Sequence, residues 1–151
     1  MPPTIRRATD ADVPTLVEFN RRLALETEHK TLDLAVLTDG VVAGLKDDEK
    51  AKYFVAEDGG RVVGQLMLTL EWSDWRNGWV WWIQSVYVHP DARRKGVFRA
   101  LYEHVHRAAV ADPQVVAIRL YMERDNHVAR QTYLSLGMTL SNYVVLERFP
   151  L

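Results

Sequence analysis

Four cations, Arg93, Arg94, Lys95 and Arg99, fall within seven residues of a segment that reads His89-Pro90-Asp91-Ala92-Arg93-Arg94-Lys95-Gly96-Val97-Phe98-Arg99. A β-branched, aromatic run precedes it and a stretch with helical period follows, so the segment joins the carboxyl end of a strand to the start of a helix. First-turn N–H groups of a helix have no intrahelical acceptor and lie at the positive end of its macrodipole. A tight turn containing Gly96 lets such groups close around a phosphate. The chemistry on offer is anion binding, and the plain alternative is a solvated basic turn. A Walker loop is excluded, because Lys95 precedes Gly96, and G-x-G-x-x-G is also missing.

A second group follows at helical spacing. Asn126, Ala129 and Tyr133 fall at i, i+3 and i+7, on one face of a helix. The small Ala129 leaves a shallow slot beside a phenol; read alone, the group is an Asn cap and a half-buried Tyr. All five tryptophans, Trp72, Trp75, Trp79, Trp81 and Trp82, lie within eleven positions. They stiffen a hairpin by cross-strand pairing, or wall a site for a cationic amine, and alternate faces of one strand allow both. His104 and His106 are two apart on a helix and make a poor metal pair, while His29, His89 and His127 are isolated. No metal is expected.

The elements that must position these groups follow from periodicity. Residues 4–9 form a short strand, and a helix capped by Thr9 or Asp10 runs to about residue 28. Residues 32–46 form a second helix or two short pieces. Strands over 52–57 and 61–70 are joined by Asp58-Gly59-Gly60, and Asn77-Gly78 turns the chain into a long strand over 79–89. A helix over 94–111 carries the stripe Phe98, Leu101, Tyr102, Val105, Ala108 and Ala109. Strand 115–122, helix 126–136 closed by Gly137, and one or two strands over 139–148 complete the chain. The strand–helix–strand crossover at 79–122 predicts a parallel pair inside an otherwise antiparallel sheet, hence a mixed sheet with packed helices.

The 151 residues fit a single domain over 1–151 with one core, and 48% hydrophobic with 26% charged residues is an ordinary globular composition. Lys plus Arg number 19 and Asp plus Glu 20, which argues against wrapping of nucleic acid. The absence of cysteine excludes a disulfide scaffold, a thiolate nucleophile, a zinc ribbon and an iron–sulfur cluster. Neither a membrane span nor a leader is expected, so the expectation is a cytoplasmic protein with no membrane partner.

Taken together, the two motifs resemble those of the GNAT superfamily of N-acetyltransferases, across essentially the whole chain. The pyrophosphate pattern Q/R-x-x-G-x-G/A is met by Arg93 and Gly96, with Phe98 where the last small residue is expected. The later pattern is met by Asn126, Ala129, Tyr133, Gly137 and Met138. The resemblance implies an α/β fold, with a central mixed sheet of six to seven strands flanked by about four helices. It also implies acetyl-CoA as donor. Val86, Tyr87 and Val88 would meet the pantetheine as an added strand. Arg93, Arg94, Lys95, Gly96, Val97, Phe98 and Arg99 would cradle the pyrophosphate. Asn126 and Ala129 would line the pantetheine, with Tyr133 as proton donor to the departing thiolate.

A lysine-like amine with a pKa of ~10.4 is almost wholly protonated at pH 7, so attack on a thioester needs a base or a water chain. Glu71 is the preferred base, with Gln84 (through water), Glu26, Glu28, His29 and Glu123 as further candidates. Glu28, Glu71, Trp82 and Gln84 are the expected acceptor contacts, and a main-chain N–H near Val86 could meet the oxyanion. The acceptor is a small-molecule or peptide amine, and a homodimer is compatible with the family. The rivals are a non-catalytic acyl-CoA sensor on the same fold and an interaction module built on the tryptophan hairpin.

Overall fold

The computed structural model describes residues 2–151. These divide into two units, one ending at Tyr121 and the other Met122–Leu151. In the first, β1 (Thr4–Arg7) leads through a 3-10 turn to α1 (Val13–Glu28) and α2 (Leu34–Lys46). Then come β2 (Lys52–Asp58), β3 (Arg61–Ser73), β4 (Gly78–Val88), α3 (Val97–Ala111) and β5 (Val115–Arg119). The sheet order is β1-β2-β3-β4-β5. Hairpin connections make the first three pairings antiparallel, whereas the α3 crossover makes β4 and β5 parallel, as the sequence predicts.

Period-two alternation gives the sheet two apolar faces. Tyr53 and Val55 join Leu16 and Val41 in the core beneath α1 and α2. Their neighbour Phe54 faces the other way and meets His104 of α3, ring centroids 5.4 Å apart. Helix starts follow capping chemistry. The Thr9 N–H donates to Asp12 Oδ2 at 2.7 Å ahead of α1, and Asp33 accepts from the Ala35 and Val36 N–H groups. The Asp33 cap starts α2 as a single helix. Helix α3 begins at Val97, three residues later than the periodicity suggests, because Arg94 (φ 64°) and Gly96 (φ 79°) are left-handed and break the helix there.

The second unit holds α4 (His127–Ser135), whose first turn is capped by Asn126 accepting from the Ala129 N–H at 3.1 Å. Gly137 (φ 94°) follows its end. Beyond it the strands expected over 139–148 do not form, and among the described residues the sheet has five strands rather than six or seven. Strand propensity is a preference for a pleated surface and does not by itself make a strand. Among the described residues no helix is long and apolar enough to cross a membrane.

Candidate functional site

Strand β4 has two unlike halves. From Trp79 to Trp82 it pairs with β3 on one side and β5 on the other, the last parallel partners being Trp82 and Arg119. It then runs on to Val88 with β3 alone, leaving one edge open. Backbone N–H and C=O groups along such an edge can bind an extended ligand as an added strand. On the β3 side, Tyr87 pairs with Gln65 and Gln84 with Met67, so Ser85 and Val86 together oppose the single Leu66. That is a β-bulge, and Ser85 takes φ 51°, a left-handed value that an L side chain rarely adopts.

Gln65 holds the bulge. Its side chain is 1% exposed, and its Nε2 donates to the Ser85 carbonyl at 2.9 Å. Its Oε1 has no hydrogen-bond partner. Sequence reasoning missed both bulge and clamp. The available signal was a lone amide in the apolar run Val62-Val63-Gly64-Gln65-Leu66-Met67, since a buried amide needs a specific partner.

The basic loop follows directly. Gly96 is the N-cap of α3, and its carbonyl accepts from the Ala100 N–H at 3.0 Å. The N–H groups of Val97, Phe98 and Arg99 therefore precede the helix's internal ladder. A Cβ on Gly96 would meet nothing within 4 Å, so the glycine serves its positive φ and not a steric gap. Gly64 is the reverse case: a Cβ there would stand 2.8 Å from Val97 Cγ1, so its absence lets the start of α3 rest on β3. Phe98 is half-buried near Tyr102, continuing the apolar stripe of α3.

The four cations divide by what they touch. Arg93 donates from Nε to the Val88 carbonyl and from Nη2 to Glu26 Oε2, both at 2.9 Å, and lies 5.3 Å over the Tyr87 ring. It pins the end of β4 to α1. Arg94, Lys95 and Arg99 are exposed, Arg99 making a 3.4 Å contact with Glu103 one turn on. The cradle's charge therefore rests on these three. An anion of diphosphate type fits this set of left-handed turn, first-turn amides and exposed cations.

The candidate carboxylates also separate. Glu26 accepts from the Tyr87 hydroxyl at 2.9 Å as well as from Arg93. Partial burial penalises its charge, but the hydrogen bonds from Arg93 and Tyr87 outweigh that and hold its pKa below the usual value. A depressed pKa makes it a poor base, and its geometry is that of an anchor. Tyr87 is buried against Phe19, so only its main chain serves the open edge. Glu28 pairs with Lys30 at 3.6 Å, and His29 is the left-handed residue that ends α1.

Glu71, Trp82 and Gln84 do come together. Cross-strand pairing of Thr69 with Trp82 and Met67 with Gln84 sets them on the face that Met67 shares with the α1–α2 core. Trp82 Nε1 donates to Glu71 Oε1 at 3.1 Å, Arg119 approaches Oε2 at 3.5 Å, and Gln84 donates to Thr69 Oγ1. The Tyr121 ring lies 6.1 Å from Trp82. The other tryptophans mostly build the hairpin: Trp72 and Trp79 meet edge-on at 5.0 Å, and Trp81 is buried, while Trp75 stands exposed at the turn.

In the second unit, Tyr133 is half-buried on α4, and burial pushes its phenol above the ordinary value. It therefore stays protonated through neutral pH, as a proton donor must. Asn126 uses its Oδ1 as the helix cap, and Ala129 supplies the capped N–H. Glu123 accepts from the Asp125 N–H at 2.8 Å, a turn contact ahead of α4.

Comparison with known proteins places the chain in a family. Residues 15–138 match the acetyltransferase (GNAT) family. A crystal structure from Clostridium difficile 630, described as a possible acetyltransferase, is 45% identical, covers 100% of this chain and 99% of its own, and superposes with a TM-score of 0.93. A transcriptional regulator from Bacillus halodurans C-125 shares the fold at 22% identity and TM-score 0.83, over 97% of this chain and 99% of its own. So does a predicted acetyltransferase from Clostridium acetobutylicum solved with acetyl-CoA, at 17% identity and TM-score 0.77, over 96% of each chain. No curated protein matches the sequence.

Proposed function

From the premise that the chain belongs to the acetyltransferase (GNAT) family, we propose that it transfers acetyl from acetyl-CoA to a primary amine by direct attack in a ternary complex. The observation that carries this reading is the open half of β4 running straight into the cationic first turn of α3. An extended, amide-bearing arm can pair with the main chain of Val86 and Val88, while its diphosphate meets the amides from Val97 to Arg99 and the side chains of Arg94, Lys95 and Arg99. Arg93 and Gln65 act as positioning residues, one fixing the strand's end and the other its bulge.

On the acceptor side, Trp82, Gln84 and Glu71 receive the amine, with the indole face and carboxylate suited to a cation. Glu71 takes the proton that the nitrogen must lose, the N–C bond forms, and the C–S bond breaks. The departing thiolate takes the phenolic proton of Tyr133, and Asn126 and Ala129 flank the arm. The chain has no cysteine thiol to carry a covalent acetyl group, which supports direct transfer.

Incubation with acetyl-CoA and a panel of amines, amino acids and peptides should give a mass gain of one acetyl group on an amine, followed by chromatography and mass spectrometry. Tyr133→Phe should lower kcat by ~10²–10⁴ with little change in donor KM. An unchanged kcat removes Tyr133 from the acid role. One observation favours a second reading, a non-catalytic acyl-CoA sensor: the Glu71 carboxylate is already met by Trp82 and Arg119. Donor binding without thiol release across the panel would select it.

A further inference from the structure

A cation stands beside the carboxylate that would receive the acceptor's nitrogen: Arg119 Nη1 lies 3.5 Å from Glu71 Oε2. Strand register puts it there. Arg119 on β5 is the parallel partner of Trp82 on β4, which opposes Thr69 on β3. Laterally paired residues share a face of the sheet, and Glu71, two residues on from Thr69, shares it too. Trp82 Nε1 donates to Glu71 Oε1 at 3.1 Å, so the two carboxylate oxygens are met by different neighbours.

An ion pair that serves only to hold elements together is tight. Arg6 meets Asp12 at 2.8 Å and Arg93 meets Glu26 at 2.9 Å, the length of charge-assisted bonds. At 3.5 Å, with 29% and 48% of their side chains exposed, Arg119 and Glu71 make a loose pair that a ligand can reach. Their charges sum to zero, so a bare alkylammonium is attracted by Glu71 and repelled by Arg119. A molecule that carries both charges meets a partner with each. An α-amino acid holds its nitrogen only ~2.5 Å from its carboxylate carbon, so an ammonium at Glu71 brings the carboxylate within reach of Arg119. The planar guanidinium fork suits a carboxylate. Beside the pair, the Tyr121 ring lies 6.1 Å from that of Trp82, tilted by 57°, and Tyr121 is 63% exposed. The two rings offer a flat side chain an aromatic surface.

Building on the acetyl-transfer reading of this site, we propose that its acceptor is a free α-amino acid with an aromatic side chain, selected by Arg119 through its α-carboxylate. The ammonium meets Glu71 Oε2, and Trp82 with Tyr121 takes the side chain. Of the two protons that the ammonium loses, one passes through Glu71 to solvent and the other balances the proton taken by the departing thiolate. The N–C bond replaces the C–S bond, and the products are an N-acetyl amino acid and the free thiol of CoA.

Phenylalanine and phenethylamine differ by the carboxylate alone, so the two read Arg119 directly. The wild-type chain should acetylate phenylalanine with a kcat/KM about 10- to 100-fold above that for phenethylamine, the effect of one charge-assisted pair. Arg119→Gln should remove the preference by raising KM for phenylalanine, while phenethylamine is used no worse than before. Arg119→Lys keeps the charge without the fork and should restore part of it. Phenylalanine binding, followed by ligand-observed magnetic resonance, should weaken in Arg119→Gln as well. Equal use of both substrates by the wild type overturns the proposal and leaves acetyl transfer standing, and so does an equal loss on both in Arg119→Gln. Phenylalanine that binds through Arg119 but is never acetylated upholds the amino-acid site and overturns acetyl transfer. Neither binding nor transfer overturns both.

Discussion

The two halves of β4 are built from one continuous strand yet do opposite things. Its first half, around Trp79 to Trp82, is paired on both sides and locked by a cross-strand tryptophan pair. Its second half, to Val88, keeps one partner, carries a bulge, and ends at a carbonyl held by Arg93. The first half is therefore held on both sides, and the second leaves main-chain groups free of β5 on one side. The difference arises from three local causes: β5 ends at Arg119, Gln65 grips the Ser85 carbonyl, and Arg93 ties the strand's end to α1.

That division should break under mutation in a graded way. Reversing charge with Arg94→Glu and Lys95→Glu should raise the donor KM about 10- to 100-fold, with an effect that shrinks as salt rises. Thermal stability should stay near wild type, since both side chains are exposed; a salt-independent KM would count against anion binding here. Gln65→Leu should come next. Losing the clamp on Ser85 frees a strained bulge, and kcat/KM should fall roughly tenfold, about 1.4 kcal/mol, with Gln65→Glu failing to rescue it. Equal activity in Gln65→Leu would show that the bulge holds itself.

The closed half should answer differently. Trp72→Ala removes an edge-on aromatic pair and should cost ~0.5–1.5 kcal/mol in chemical denaturation while leaving donor KM unchanged. A donor effect there would erase the contrast between the halves. The smallest effect concerns pH. The Glu26 pKa is lowered in the folded state, so its stabilising contact with Arg93 is fully present above the unfolded carboxylate value. It is lost as pH falls from the unfolded carboxylate value through the lowered folded one. Donor binding should weaken over that acid range, and Glu26→Gln should abolish the dependence, as a calorimetric pH series would show.

Much of this organisation could be read before any coordinates. Asn77-Gly78 announced the hairpin, the crossover announced a parallel β4–β5 pair, and Asn126 with Gly137 bounded α4, because turns and caps depend on local chemistry. The basic loop was visible for the same reason. What escaped was set by partners distant in sequence. The bulge at Ser85 depends on an amide twenty residues away, and Arg93 looks like a ligand group until Glu26 and the Val88 carbonyl are placed beside it. The strands expected over 139–148 did not form, because propensity is a weak, context-dependent preference and not a pairing.

The central claim is that the open half of β4 and the turn after it bind an acyl-CoA. Backbone amide spectra of the isotopically labelled chain, recorded while acetyl-CoA is added, test it residue by residue. Shifts should concentrate at residues 84–88 and 94–99, with residues 79–82 nearly still. Shifts confined to residues 72–82, or none at millimolar ligand, would contradict it.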